Sequence, residues 1–172
     1  MNKYEIKRAF HYFLAKYFGI VEHMGKYCIA NSVYIHDIEK DDEISAINMV
    51  YGASAAGARV LTSGSSTGMS LKQEGISGIA ASELPCLIVN TMCGGSVAGA
   101  SCPAQADYWQ ATRGGTHGDY RNIVFAPNSV QEMADMAIAG FKYADRFRTP
   151  VLILADSIVS QMMEPVVLPE EP

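Results

Sequence analysis

Residues 43–90 read EISAINMVYGASAAGARVLTSGSSTGMSLKQEGISGIAASELPCLIVN, and this stretch decides the fold. A helix crowded with Gly, Ala and Ser is predicted from Glu43 to about Ala58. Arg59 to Ser63 reads as a short apolar strand, Gly64 to Gly68 as a Ser/Gly loop and Met69 to Ala81 as a second helix. Leu84 to Asn90 is a strongly apolar strand with Pro85 near its entrance, where a missing donor matters least. Continuously apolar strands alternating with helices mean a mostly parallel sheet covered on both faces. A backbone stripped of large side chains also lets two elements, or an element and a flat ligand, approach closely.

The flanks extend the pattern. Residues 1–27 read as helix, with Phe10, Phe13, Leu14, Tyr17 and Phe18 near helical spacing. Val33 to Ile35 is a short strand, followed by a polar run from His36 to Asp42. Downstream of Asn90 comes a glycine-rich loop from Met92 to Gly99, a short helix from Gln105 to Ala111 and a second glycine-rich loop from Arg113 to Asp119. Ile123 to Ala126 is a strand, and Ser129 with Glu132 matches a capping box that opens a helix to about Arg146. Val151 to Ala155 is a last buried strand. The reading is an N-terminal helical segment over 1–32, one three-layer α/β domain over 33–163 and a linker-like tail over 164–172. In such sheets ligands bind at the carboxyl ends of strands, here the Ser63–Gly68 loop, the Thr91–Gly99 loop and the region after Ala126.

Composition narrows the class. The chain has 172 residues, 49% of them apolar and 18% charged, enough for a domain with a real core and unlike a disordered segment. A net charge of −5 gives no footing for nucleic acid or an anionic membrane, and no apolar run approaches the roughly 20 residues of a membrane span. A cytoplasmic location is expected. Cys28, Cys86, Cys93 and Cys102 show none of the usual zinc or iron–sulfur spacings and read as reduced, structural thiols.

Three patterns suggest chemistry. Gly64-Ser65-Ser66-Thr67-Gly68 satisfies G-x-S-x-G between strand and helix, which would make Ser66 a nucleophile, with Asp107 and His117 as the only arrangement of later acid and histidine. That order is far from the end of the chain, and too few strands precede the elbow for a hydrolase fold. The run His36, Asp37, Glu39, Asp41 and Asp42 has metal-ligand residue types, though consecutive acids usually form a solvated loop. Glu43 stands alone at the start of a small-residue helix, where an acid complements the helix dipole.

Taken in order, DEISAINMVYGASAAGARVLTS, SLKQEGIS, ELPCLIVN, PAQADYWQAT, GGTHGDYRNIVFAP, SVQEM and RTPVLIL resemble the pyrimidine-binding domain of 2-oxoacid:ferredoxin oxidoreductases. The likeness runs from about Val33 to Pro169 and is greatest to the α-type subunits of the 2-oxoisovalerate, or branched-chain 2-oxoacid, enzymes. It implies the thiamine diphosphate-binding fold and a cofactor shared between subunits. This domain would hold the aminopyrimidine, and a β-type partner the diphosphate and its Mg²⁺. Glu43 then matches the glutamate that hydrogen-bonds the pyrimidine ring nitrogen, with Ser65 and Ser66 as further cofactor-binding residues. Coenzyme A would be the acyl acceptor, and iron–sulfur clusters on a ferredoxin-like subunit would take the electrons. A γ-type subunit would complete the assembly.

The residues fit a division of labour, because a GDG motif followed by Asn is absent and no metal ligand set is expected on this chain. They also depart from the family. Residues 1–32 lack the usual YPITP-like loop, keeping only an echo in Ile20-Val21-Glu22-His23-Met24. Cys93 stands where the family has an Arg, and Thr67 where many relatives have Pro. Losing that Arg removes a fixed cation and a bidentate fork. The expectation is therefore an enzyme component inactive alone, or alternatively a diverged, catalytically impaired copy that acts as an interaction module.

Overall fold

The computed structural model describes residues 42–94 and 104–167, together with the backbone of 33–35. The expected helix over 1–27, the run from His36 to Asp41 and the loop after Gly94 lie outside the described residues. Strands β1 (Val33–Ile35), β2 (Arg59–Ser65), β3 (Cys86–Met92), β4 (Ile123–Phe125) and β5 (Pro150–Asp156) form one sheet in the order β1-β2-β3-β5-β4. Every pairing among the described strands is parallel, as the apolar runs predict.

Two helical layers cover it. Helices α1 (Glu43–Ala55), α2 (Ser66–Leu71) and α3 (Gln73–Ala81) precede the short α4 (Tyr108–Thr112) and the long α5 (Val130–Phe147). The period-2 alternation of the strands sorts the core. Cys86, Ile88 and Met92 of β3 join Ile47, Val50, Met69, Ile76 and Ile79 on one face. Leu87 and Val89 join Met133, Phe141 and Ala144 of α5 on the other. Each fully buried aliphatic side chain of this kind contributes about 1.5–3 kcal/mol. A Cβ on Gly75 of α3 would stand 2.5 Å from Ile47 Cγ2, so glycine is what lets α1 and α3 pack this closely. The buried Ser54 hydroxyl of α1 is satisfied by donating to the Pro85 carbonyl at 2.7 Å.

The structure corrects the connection after β2. The predicted loop over Gly64–Gly68 does not exist as such: the ladder continues through Gly64↔Asn90 and Ser65↔Thr91, and α2 starts at Ser66. Ser66 makes the turn alone, with φ of 43°, a left-handed value unusual for serine. Its hydroxyl donates to the Cys93 carbonyl at 2.9 Å, which ties the turn to the end of β3. The predicted single helix over Met69–Ala81 is two helices kinked at Lys72. Backbone hydrogen bonds from Lys72 to Gly68 and from Ile76 to Lys72 carry across the kink.

Helix α5 begins as its sequence demands, with the Glu132 N–H donating to Ser129 Oγ at 3.1 Å. The return arm differs from the expected box, because Glu132 Oε2 accepts from the N–H of Asn128. Residues 164 and 167 of the tail bind the start of this helix. Val130 N–H donates to Glu164, and the Gln131 side chain exchanges two hydrogen bonds with the Val167 backbone.

Candidate functional site

The carboxyl ends of β2 and β3 and the start of α1 form one polar neighbourhood. Asp42 caps α1: its carboxylate accepts from Ile44 N–H at 3.0 Å and from Ser45 Oγ at 2.7 Å. The Ser45 hydroxyl first, and the Ile44 amide second, hold the Asp42 carboxyl below its usual value. Asp42 is thereby committed to the cap. Glu43, one residue on, is left to point elsewhere.

Glu43 points at a lysine. Its Oε2 lies 2.7 Å from Lys72 Nζ, and the Lys72 side chain is only 2% exposed whereas that of Glu43 is 38% exposed. Lys72 Nζ also donates to the Ser63 carbonyl at 2.5 Å and to Thr62 Oγ1 at 3.2 Å. Three donors thus meet three acceptors, which is what an ammonium needs away from water. The kink between α2 and α3 sets Lys72 facing β2, and Gly64 leaves room for it: a Cβ there would stand 3.3 Å from Nζ and 3.0 Å from Met69 Sδ.

The other carboxylate oxygen rests on glycine. A Cβ at Gly68 would be 2.7 Å from Glu43 Oε1 and 3.1 Å from its Cδ. Beside Gly64 in the ladder, Asn90 is buried; its Nδ2 donates to Asp107 Oδ2 at 2.9 Å, and its Oδ1 has no partner among the described residues.

The residues singled out in the sequence fall into place unevenly. Glu43 touches Gly68, while Ser66 touches Cys93, so all four surround the turn from β2 into α2. Ser65 ends β2 with its side chain exposed. Ser66 has a left-handed φ that suits an elbow, yet its hydroxyl donates to a carbonyl, and Asp107 bonds Asn90. The hydrolase arrangement is not assembled. Cys93 contributes its backbone carbonyl to the turn, and its thiol lies 3.8 Å from the Thr91 carbonyl. Asp42 is a helix cap; the other members of the acidic run lie outside the described residues. No group of three or more potential metal ligands occurs among the described residues. Lys72 was missed by sequence reasoning. In Ser70-Leu71-Lys72-Gln73-Glu74 it looks like a surface charge, and only the three-dimensional packing shows it buried.

Fold and site together define a parallel α/β domain with a half-exposed carboxylate and a close-approach glycine at the carboxyl edge of its sheet. The family described as pyruvate flavodoxin/ferredoxin oxidoreductase, thiamine diP-bdg, matches residues 19–172. The ketoisovalerate oxidoreductase subunit VorB of Methanothermobacter marburgensis is 56% identical over 133 residues, covering 77% of this chain and 38% of that protein. The 2-oxoglutarate synthase subunit KorA of Archaeoglobus fulgidus is 47% identical over 133 residues, again 77% of this chain and 38% of the relative. Among solved structures, a 2-oxoglutarate:ferredoxin oxidoreductase from Magnetococcus marinus, with 2-oxoglutarate, coenzyme A and succinyl-CoA bound, superposes with a TM-score of 0.66. It is 34% identical, over 70% of this chain and 21% of that one.

This chain belongs to the 2-oxoacid:ferredoxin oxidoreductase family, and its matched region is the thiamine diphosphate-binding domain. It spans less than half the length of the curated relatives it matches. No helix among the described residues is long and apolar enough to cross a membrane.

Proposed function

We propose that the chain provides the aminopyrimidine half of a thiamine diphosphate site in a 2-oxoacid:ferredoxin oxidoreductase. The reaction is the oxidative decarboxylation of a branched-chain 2-oxoacid, giving CO₂ and an acyl-CoA while ferredoxin is reduced. The 56% identity to a ketoisovalerate oxidoreductase subunit supports the branched-chain substrate class. A β-type subunit holds the diphosphate and Mg²⁺, a ferredoxin-like subunit carries iron–sulfur clusters, a γ-type subunit completes the complex, and the assembly works in the cytoplasm.

The observation that carries the reading is the state of Glu43. Its Oε2 is committed to Lys72, and its Oε1 lies over Gly68 at the carboxyl edge. A carboxylate held this way fits a protonated ring nitrogen, because Oε1 has no donor among the described residues and lies next to a surface with no side chain. When bound, thiamine diphosphate supplies a nucleophilic carbon and an electron sink for the carboxylate being lost. Glu43 accepts the hydrogen bond from the ring nitrogen. Gly68 keeps the approach open, and the exposed Ser65 and the acceptor lone pairs of Ser66 line the edge beside it. Cys93 serves this arrangement through its carbonyl, so its side chain can differ from the family's Arg without loosening the turn. The pairing of Glu43 with Lys72 and its approach to Gly68 support an enzyme component over a bare interaction module.

The test is reconstitution with a diphosphate-binding partner and an iron–sulfur subunit. The complex should reduce viologen only when 2-oxoacid and coenzyme A are both present. Glu43→Gln should abolish turnover; unchanged turnover would remove Glu43 from the mechanism.

A further inference from the structure

We infer that Lys72 is a positioning residue: with Gly68 it forms a two-sided seat that aims the Glu43 carboxylate, Lys72 binding Oε2 from inside and Gly68 leaving Oε1 free. The inference rests on the reading of Glu43 as the ring-nitrogen acceptor, and extends it to the two residues that hold Glu43 in place.

A glutamate has three side-chain torsions, and one that is 38% exposed would sample several rotamers in water. Here it has a fixed anchor. Lys72 is held by Ser63 and Thr62 of β2, and β2 is bonded to β3 along five register positions from Leu61 to Ser65. The ammonium is therefore tied to a paired strand of the sheet. The carboxylate takes its place from this anchor rather than from α1 alone, where Asp42 has already used the capping position.

Gly68 sets the other side. A Cβ at 2.7 Å from Oε1 overlaps the far end of a flexible side chain, so the glutamate, not the backbone, has to move. Alanine at position 68 also favours the helix over glycine. Gly68→Ala thus separates aim from stability: it turns Oε1 aside while Oε2 keeps its ion pair with Lys72, so the buried ammonium is not stranded. A glycine needed only for packing against backbone would behave in the opposite way.

Three variants in the reconstituted complex test this, with cofactor dissociation constants from equilibrium dialysis and turnover measured in parallel. Lys72→Met keeps side-chain length without charge, and Gly68→Ala adds the Cβ. Both should weaken thiamine diphosphate binding and lower kcat by about ten- to a hundredfold, the range expected for a misplacement of about 1 Å, with KM for the 2-oxoacid unchanged. Gly68→Ala should show no loss of thermal stability in the free chain. Glu43→Gln is the control for the underlying reading. If it leaves cofactor affinity and turnover unchanged, the Glu43 assignment fails and the seat with it. If Glu43→Gln abolishes activity but Lys72→Met and Gly68→Ala match wild type in kcat and dissociation constant, the seat alone is overturned. A rise in KM for the 2-oxoacid with kcat unchanged would likewise overturn it, by placing Lys72 and Gly68 at the substrate instead.

Discussion

Under α5 the sheet presents Leu87, Val89, Val151 and Ile153 to Met133, Phe141 and Ala144, an apolar contact. Under α1, α2 and α3 the same strands present Val60, Ile88 and Leu152, but also Thr62 and Asn90, and they enclose the Lys72 ammonium. Both faces come from one alternating pattern in the same strands. The first is held chiefly by area removed from water. The second gives up part of that to bury a charge and two polar side chains, which costs free energy unless each is matched. The polar residues gather toward the carboxyl ends of β2 and β3, where a ligand would sit. The contrast lies in where buried polar groups are tolerated, toward the carboxyl ends of β2 and β3 on one face.

Breaking the apolar face should have the largest effect. Phe141→Ala removes a side chain that is 3% exposed and should cost about 3–5 kcal/mol in denaturant unfolding. The polar face should respond asymmetrically. Glu43→Ala strands the Lys72 charge away from water and should cost about 2–3 kcal/mol, whereas Lys72→Met leaves a carboxylate that water can reach, loses only the donor to Thr62 and the Ser63 carbonyl, and should cost about 1–1.5 kcal/mol. Equal losses would show that Lys72 is hydrated in solution and that the two faces differ less than described.

Much of this contrast was legible in the sequence and part was not. Strands β2, β3 and β5 stand out because parallel strands buried on both sides need continuous apolar runs, and Leu84–Asn90 and Val151–Ala155 are such runs. Ser129 and Glu132 announce α5 through the chemistry of its first turn. The one-residue turn at Ser66 was hidden because nothing in Gly64-Ser65-Ser66-Thr67-Gly68 marks a serine, rather than a glycine, for left-handed φ. Lys72 was hidden because burial of a lysine depends on acceptors supplied by Thr62, Ser63 and Glu43, which the sequence places at a distance. Glu43 itself was ambiguous locally, since a dipole-complementing acid and a site acid look alike; the resemblance to a known family, not its spacing, singled it out.

Two smaller effects sharpen the picture. Cys86 lies in the apolar interior, and burial pushes its thiol up to about 12, while Cys93 at the site edge is half-buried. Peptide-mapped alkylation of the native chain at pH 8 should therefore modify Cys93 and spare Cys86; labelling of Cys86 at a similar rate would mean that the sheet opens readily. The smallest effect concerns Asp42. Its folded carboxyl is held below 3.8, so its contribution to stability is complete above that pH and fades as pH falls through the lower folded value. The stability difference between wild type and Asp42→Ala should accordingly be constant near neutrality and shrink only below pH 3.8.

The turn at Ser66 has a mechanical consequence. A strand and a helix joined through a single residue, with that residue's hydroxyl fastened to the next strand, have no slack between them. The end of β2 and the start of α2 must move together, as one side of a stiff jaw. A displacement of α2 is therefore passed to the end of β3 at Cys93 rather than absorbed in the connection.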